Sequence, residues 1–176
     1  MTATRPTLAV LIIVLAAAAL APAAVPAAGR MTTPTGLESG VLDQLNGIRA
    51  QHGLAPLRLN ARLSAAAAQH SREMGVDGYF RHESADGSAF WKRIARYYAT
   101  DHYGLWSVGE NLLWSSPDVG PTRAMEIWMH SPEHRANILS PRWREIGVAA
   151  VHVSSAPGSY NGLPVTIVTT DFGVRR

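Results

Sequence analysis

Residues 131–139 read Ser-Pro-Glu-His-Arg-Ala-Asn-Ile-Leu, and this stretch is the most informative one for predicting the fold of the chain. Serine is a favoured N-cap residue and proline suits the first helical position, so Ser131 and Pro132 predict the start of a helix. Glu133 places an acid in the first turn, where the helix dipole stabilises negative charge. His134 follows in the same turn, and there the dipole favours the neutral imidazole.

The segments on either side of this short helix predict helices first and strands later. Apolar residues at helical spacing predict four upstream helices, which start at Leu37, Asn60, Ser88 and Pro121. Gly75 and Gly78 are expected to end the second of them. Downstream, Ile146–Val153 and Val165–Phe172 are rich in β-branched residues and predict an antiparallel pair of strands. This order indicates an α+β domain rather than alternating βαβ units.

Two further stretches carry polar residues in Gly-marked or turn-like contexts, Tyr79-Phe80-Arg81-His82 and Val108-Gly109-Glu110-Asn111. In this order and with these separations, the three stretches resemble the CAP superfamily (cysteine-rich secretory proteins, antigen five and pathogenesis-related proteins), specifically its small secreted bacterial branch. The resemblance runs from about Leu37 to Phe172. It implies an α-β-α sandwich with a central antiparallel sheet and a cleft lined by two histidines and acidic residues.

Residue by residue, the resemblance implies a cleft built around His82, Glu110 and His134. His82 matches the first cleft histidine of the family, Glu110 matches the acid of its Gly-Glu-Asn stretch, and His134 matches the second histidine. The family's second glutamate falls on Ser131, so the chain departs from the pattern there, and Ser131 joins the expected cleft residues. His130, directly before it, is expected to be a surface or capping histidine.

Other aromatic and histidine residues have no comparable support from a motif. Trp106 and Trp114 flank Glu110 in the sequence and are candidates for the apolar wall of a ligand groove, although aromatics at such positions usually belong to the core. The remaining histidines are expected in the core or in solvent: His52, His70, His102 and His152.

Two interpretations of the cleft are open. Two imidazoles and one carboxylate are the right ligand types for an open divalent metal site, zinc in particular, with His82 and His134 as the imidazole ligands. Alternatively, the same residues bond to one another and to the backbone and hold loops together around a polar cleft.

These interpretations lead to two function hypotheses. The first is a non-catalytic or weakly catalytic module that binds a small molecule, a lipid or a cell-envelope component. The second is a metal-dependent hydrolase of peptide or cell-wall substrates, with Glu110 as base and His82 and His134 holding the metal. Ser131 in place of the second acid weakens this second hypothesis.

Composition narrows the function classes further. The chain has 176 residues, 47% of them hydrophobic and 16% charged, which suits one globular domain. It has no cysteine, which rules out disulfides and thiolate metal sites within it. The net charge is +3, but the positive residues are scattered along the sequence, so we expect no nucleic-acid partner. The chain also lacks a nucleophile elbow, a Walker loop and a dinucleotide fingerprint.

The N-terminal region is typical of a protein exported from the cell. Arg5, the apolar run Leu8–Leu20 and the small residues that follow predict a signal peptide over residues 1–28. A linker over residues 29–36 and a CAP domain over residues 37–176 are expected after it. Cleavage would leave a secreted protein with no stable membrane span, and the alternative is a retained anchor.

Overall fold

The computed structural model describes residues 29–176, and the signal peptide predicted for residues 1–28 lies outside them. The helices are α1 (Leu37–Gln51), α2 (Ala61–Asp77), α3 (Phe90–Tyr97), α4 (Pro121–His130) and α5 (Pro132–Ile138). The strands are β1 (Met31–Thr32), β2 (Arg58–Leu59), β3 (Trp106–Ser115), β4 (Glu145–Val153) and β5 (Val165–Arg175). Within residues 29–176, no helix is long and apolar enough to cross a membrane.

The two predicted C-terminal strands form an antiparallel pair at the centre of one sheet. β5 lies between β3 and β4 and pairs antiparallel with both. The short strands β1 and β2 pair with opposite ends of β4, β1 antiparallel at Val153 and β2 parallel at Glu145. The register sets Asp171 of β5 opposite both Glu110 of β3 and Gly147 of β4. The predicted α+β class with a central antiparallel sheet is confirmed.

Helices cover both faces of this sheet, and the two faces differ in composition. We call the face under α1, α4 and α5 the apolar face, because one continuous hydrophobic cluster fills it. We call the face under α2 and α3 the mixed face. Its apolar residues form two smaller clusters, one around Met74 and Ile167 and the other around Leu63 and Ile94. Alternate residues of a strand point to one face, so Thr169 and Asp171 of β5 lie on the mixed face together with Ile167.

The observed helix ends match the sequence prediction at the N-cap of α2 and differ from it at Gly75 and at Ser131. Asn60 caps α2, since its Oδ1 accepts from the backbone N–H groups of Arg62 at 2.9 Å and Leu63 at 3.2 Å. The prediction that Gly75 takes part in ending this helix is wrong. Gly75 is buried inside α2 against Val153, and the helix ends at Gly78 in the left-handed conformation.

Ser131 occupies the N-cap position of α5, but its side chain does not cap the helix. Ser131 Oγ donates to Glu133 Oε2 at 3.3 Å, and it accepts no hydrogen bond from the first turn of α5. Pro132 at the first helical position therefore remains the feature that starts α5.

Candidate functional site

A histidine and a carboxylate form the centre of the site. His82 lies in the loop after α2, Glu110 lies on β3, and His82 Nδ1 is 2.8 Å from Glu110 Oε1. The His82 side chain is 49% exposed, whereas that of Glu110 is completely buried. The hydrogen bond to Glu110 raises the pKa of His82, although partial burial opposes this. Because Nδ1 donates to the carboxylate, Nε2 is the ring nitrogen left for a ligand.

Arg93 on α3 holds the other oxygen of the same carboxylate. Its Nη2 donates to Glu110 Oε2, and its Nη1 donates to the backbone oxygen of His82 at 3.3 Å and to Ser84 Oγ at 3.1 Å. The Arg93 side chain is completely buried. Both carboxylate oxygens of Glu110 are therefore engaged, and one guanidinium ties the carboxylate to the loop that carries His82.

The sheet register places a second carboxyl group beside Glu110. Asp171 is fully buried, and within residues 29–176 neither of its carboxyl oxygens has a hydrogen-bond partner. Burial raises the pKa of Asp171 well above its usual range, and the neighbouring charge of Glu110 raises it further. A protonated Asp171 can donate to Glu110, whereas two ionised carboxylates have no donor to share. Burial and this neighbouring charge therefore favour one proton on Asp171 and one negative charge on Glu110, which Arg93 faces.

His70 on α2 completes this group, and we call His70, Arg93, Glu110 and Asp171 the buried polar cluster. Burial lowers the pKa of His70 to about 4, so its ring is neutral near pH 7. His70 Nε2 lies 2.9 Å from the backbone oxygen of Arg81 and donates to it. His70 is thus a core histidine, as expected from the sequence, and it fixes the chain one residue before His82.

The other two predicted cleft residues, His134 and Ser131, are not among the described residues that line the cavity beside His82 and Glu110. His134 is half-buried on α5, and burial lowers its pKa, as does the charge of nearby His82. The neutral form that the helix dipole predicts is favoured here chiefly by burial. Ser131 lies at the junction of α4 and α5. His130 is exposed, with Nδ1 2.7 Å from a backbone oxygen of α4.

Two asparagines, one on β3 and one on α5, dock these elements onto each other. Asn111 Nδ2 donates to the backbone oxygen of His134 at 3.1 Å, and Asn137 Nδ2 donates to Asn111 Oδ1 at 2.8 Å. Gly109 allows this close contact, because a Cβ there would lie 2.9 Å from Trp143 Cζ2. The Gly-Glu-Asn stretch therefore positions α5 as well as the carboxylate.

A cavity of about 500 Å³ opens beside His82 and Glu110, and we call it the cleft. Phe90 and Trp143 give it aromatic walls, and the Phe90 ring packs 6.1 Å from the His82 ring. Trp106 and Trp114, the aromatics predicted as candidates, do not line it. Trp106 Nε1 donates to the backbone of α3's C-cap, and Trp114 packs against Tyr160 on the mixed face. The remaining lining residues are Glu83, Val108, Gly109, Ala136, Asn137, Ser140 and Arg142.

The residues around the cleft do not fit a three-ligand metal site. Residues 29–176 contain no group of three or more His, Cys, Asp or Glu side chains that could hold a metal ion. The Glu110 carboxylate is buried and bonded through both oxygens, so it does not join His82 and His134 as a third ligand. His82 and Glu110 bond to each other and to Arg93 as in the hydrogen-bonded network interpretation, whereas the buried His134 Nδ1 has no hydrogen-bond partner within residues 29–176.

Arg93 and Asp171 are the site residues that the sequence prediction missed, and each had a recognisable signal. Arg93 lies at the i+3 position of the α3 stripe that contains Phe90, Ile94 and Tyr97, so a charge sits on a buried face. Asp171 interrupts a strand that is buried on both faces. A charged residue at a core position usually has a buried partner, which is the signal that could have found both.

Comparisons with known proteins agree with this fold. The model of the cysteine-rich secretory protein family, CAP, matches residues 42–172. The Bacillus subtilis uncharacterized protein YkwD is 34% identical over 121 residues, which cover 67% of this chain and 44% of YkwD.

Solved structures show the same architecture. An extracellular protein of Bacillus anthracis that contains an SCP domain superposes with a TM-score of 0.60 at 26% identity, covering 80% of this chain and 41% of that protein. An outer surface protein of Borrelia burgdorferi superposes with a TM-score of 0.66 at 18% identity, covering 84% of this chain and 99% of that one, and shows the fold alone. The chain thus spans less than half the length of its Bacillus relatives.

Proposed function

This chain belongs to the CAP family of cysteine-rich secretory proteins, and from that premise we propose that it is an extracellular bacterial protein that binds a ligand in the cleft beside His82. In this proposal the protein is non-catalytic or only weakly catalytic. The cleft supports the proposal because it is large enough for a small ligand. The buried polar cluster behind it supports the proposal because its hydrogen bonds hold His82 in place.

The burial and the hydrogen bonds of the Glu110 carboxylate are the main support for a non-catalytic role. A general base must reach the proton that it abstracts, yet the Glu110 side chain is completely buried and both oxygens are bonded. The carboxylate orients the His82 ring instead. Metal-dependent hydrolysis of peptide or cell-wall substrates needs an exposed base beside a metal-bound water, and these contacts give it no support.

The cleft walls favour an amphipathic ligand. Phe90 and Trp143 offer apolar surface, and His82 and Arg142 offer hydrogen-bond donors around it. A volume of about 500 Å³ lies in the range of pockets that enclose small molecules. Small molecules, acyl chains with a polar head and fragments of the cell envelope share this chemistry.

A binding experiment tests the proposal with two defined probes, decanoate and a soluble disaccharide-peptide fragment of peptidoglycan. The imidazole signals of the purified protein are followed by NMR during each titration. We expect at least one probe to shift the His82 signal and to leave that of exposed His102 unchanged.

A matched pair of variants on α3 locates the binding site. Phe90→Ala removes a cleft wall, whereas Trp91→Ala removes the neighbouring aromatic, which is 47% exposed and lies outside the cleft. Only Phe90→Ala is expected to weaken binding. The proposal is wrong if both probes leave the His82 signal in place, or if the two variants weaken binding equally.

The extracellular location is part of the same proposal. It is supported by the apolar run Leu8–Leu20 after Arg5 and by the extracellular Bacillus anthracis protein that shares the fold. Mass spectrometry of culture supernatant is expected to find a chain that begins near residue 29. An intact chain from Met1, recovered only in the membrane fraction, would support a retained anchor instead.

A further inference from the structure

A second cavity lies beside the cleft and is lined mainly by arginine. Its volume is about 450 Å³. Arg142 and Arg144 reach it from the turn before β4, and Arg175 and Arg176 reach it from the end of β5. Leu105, which is 39% exposed, contributes apolar surface. We call this cavity the arginine groove.

The sheet brings these residues together from separate parts of the sequence. The backbone N–H of Arg144 donates to the oxygen of Gly173 at 3.1 Å, which holds the turn against β5. Leu105 and Arg176 exchange backbone hydrogen bonds of 2.9 and 3.0 Å, which extend the pairing of β3 with β5. Positive residues that are scattered along the chain therefore form one concentrated patch.

No positive charge of the groove is paired at salt-bridge distance within residues 29–176, although the charge of Arg175 acts on the Glu145 carboxylate. Within residues 29–176, none of the four arginines takes part in a salt bridge. Glu145 directly follows Arg144, but its carboxylate accepts hydrogen bonds from Asn60 and Tyr98. Like charges held close together repel one another, and a bound anion relieves this repulsion.

Two of the guanidinium groups are held in place before any ligand arrives. The Arg175 guanidinium lies over the Tyr98 ring at 4.1 Å and over the Tyr103 ring at 4.8 Å from the ring centroids. Arg144 Nη1 donates to the backbone oxygens of Pro141 at 2.7 Å and Trp143 at 2.9 Å. A fixed guanidinium loses less conformational entropy when it binds an anion.

We propose that the arginine groove is a second binding site, for a ligand that carries two phosphate groups. The planar fork of a guanidinium matches the oxygens of phosphate, and the forks of Arg142 and Arg176, which make no hydrogen bond within residues 29–176, suit two phosphate groups. Arg142 lines both the groove and the cleft, so the phosphates bind at the rim of the cleft. The site does not depend on which ligand the cleft itself takes.

Calorimetric titration with inorganic pyrophosphate at low ionic strength tests the site. The informative variant is Arg142→Gln/Arg176→Gln, because neither guanidinium makes a hydrogen bond within residues 29–176. Apart from two charges, this variant removes the contact of Arg142 with the Trp143 ring, 5.2 Å from its centroid. We expect saturable binding by the wild type and affinity weaker by about tenfold or more in this variant.

The matched control is Arg62→Gln/Arg72→Gln, which removes the same charge from two exposed positions on α2. This control is expected to keep the wild-type affinity, and unfolding temperatures establish that all variants are folded. The proposal is overturned if the wild type shows no saturable binding or if the control loses as much affinity as the groove variant. It is also overturned if His82→Ala weakens pyrophosphate binding as strongly, since the probe would then occupy the cleft.

Two sources could supply the phosphates, a soluble ligand or a lipid headgroup. Cosedimentation with vesicles that contain cardiolipin, whose headgroup carries two phosphates, against vesicles of phosphatidylcholine, separates them. Retention on the anionic vesicles that Arg142→Gln/Arg176→Gln abolishes assigns the site to a lipid headgroup. Pyrophosphate binding without vesicle retention assigns it to a soluble ligand.

Discussion

The two faces of the sheet are both buried, but different chemistry fills them. On the apolar face, residues such as Leu45, Trp128 and Phe172 belong to one continuous hydrophobic cluster. On the mixed face, the buried polar cluster separates two smaller hydrophobic clusters, and Arg93, Glu110 and Asp171 are all but inaccessible to solvent.

The two faces therefore have different roles, since one stabilises the domain and the other builds its site. Removing a charge pair from water costs about as much as its attraction returns, so apolar residues would stabilise the mixed face equally well. What the polar cluster adds is a fixed orientation for His82 at the cleft. The apolar face is the main source of stability, and the mixed face positions the site.

The largest effect is expected from breaking the charge pair on the mixed face. Arg93→Met leaves Glu110 buried without its partner, which should lower the free energy of unfolding by about 3–5 kcal/mol. The double variant Arg93→Met/Glu110→Leu removes both charges and should recover most of that loss. Urea unfolding measures both. Equal losses of unfolding free energy in the single and double variants would show that packing, not unpaired charge, determines the stability of the mixed face.

A cavity on the apolar face should cost somewhat less and leave the site intact. Leu45→Ala removes a completely buried side chain of α1 and should lower the free energy of unfolding by about 2–4 kcal/mol. The pKa of His82, measured by NMR, should stay at its wild-type value. A changed His82 pKa in this variant would show that the two faces are coupled.

Asp171→Asn should change how stability depends on pH. The folded state raises the pKa of Asp171, so it keeps a proton that the unfolded chain releases above about pH 4. The free energy of unfolding of the wild type therefore falls as pH rises through this window, by up to about 1.4 kcal/mol per pH unit from this group.

Asparagine cannot ionise, and its amide N–H groups can donate to Glu110, as a protonated acid can. The variant should therefore lack this component of the slope and be at least as stable as the wild type near neutral pH. Urea unfolding at several pH values between 4 and 8 provides the comparison. Identical slopes in the two proteins would mean that Asp171 ionises in the folded state as it does in water.

The smallest effect is expected from His82. Its pKa is raised in the folded state, so its pairing with Glu110 stabilises the fold below about pH 6.5 and is lost as pH rises through the folded value. The side chain is half-exposed, which keeps the contribution below about 1 kcal/mol. The stability difference between wild type and His82→Asn should shrink between pH 5.5 and pH 9. A difference that grows with pH contradicts the assigned direction.

The helices and the C-terminal strands could be predicted because the spacing of apolar residues along the sequence shows which side of a helix or strand is buried. The sequence prediction missed the two-residue strands β1 and β2 and one long strand, β3. The centre of β3 reads Gly109-Glu110-Asn111, three residue types that are depleted in strands. Pairing with β5 overrides that local preference. Local sequence carries no record of this pairing, which joins positions about sixty residues apart, as in Glu110 with Asp171.

The site could be predicted in part because of the family resemblance. His82 and Glu110 stand in recognisable stretches, so their proximity was expected. The partnership of Asp171 with Glu110 depends on strand register, and the arginine groove depends on where the turn at Arg142 meets the end of β5. Register and turn placement result from tertiary packing, and neither is encoded in a local pattern.

The protonation state of Asp171 is the most direct test of the claim that the mixed face holds one proton and one negative charge behind His82. Carbon-13 NMR of protein labelled at the aspartate carboxyl carbons follows every aspartate through a pH titration. One signal should stay protonated at pH values where the exposed aspartates have ionised, above about pH 5, and it should be absent from Asp171→Asn. If every aspartate instead ionises near pH 4, two negative charges share the buried polar cluster, and the claim of a single shared proton is wrong.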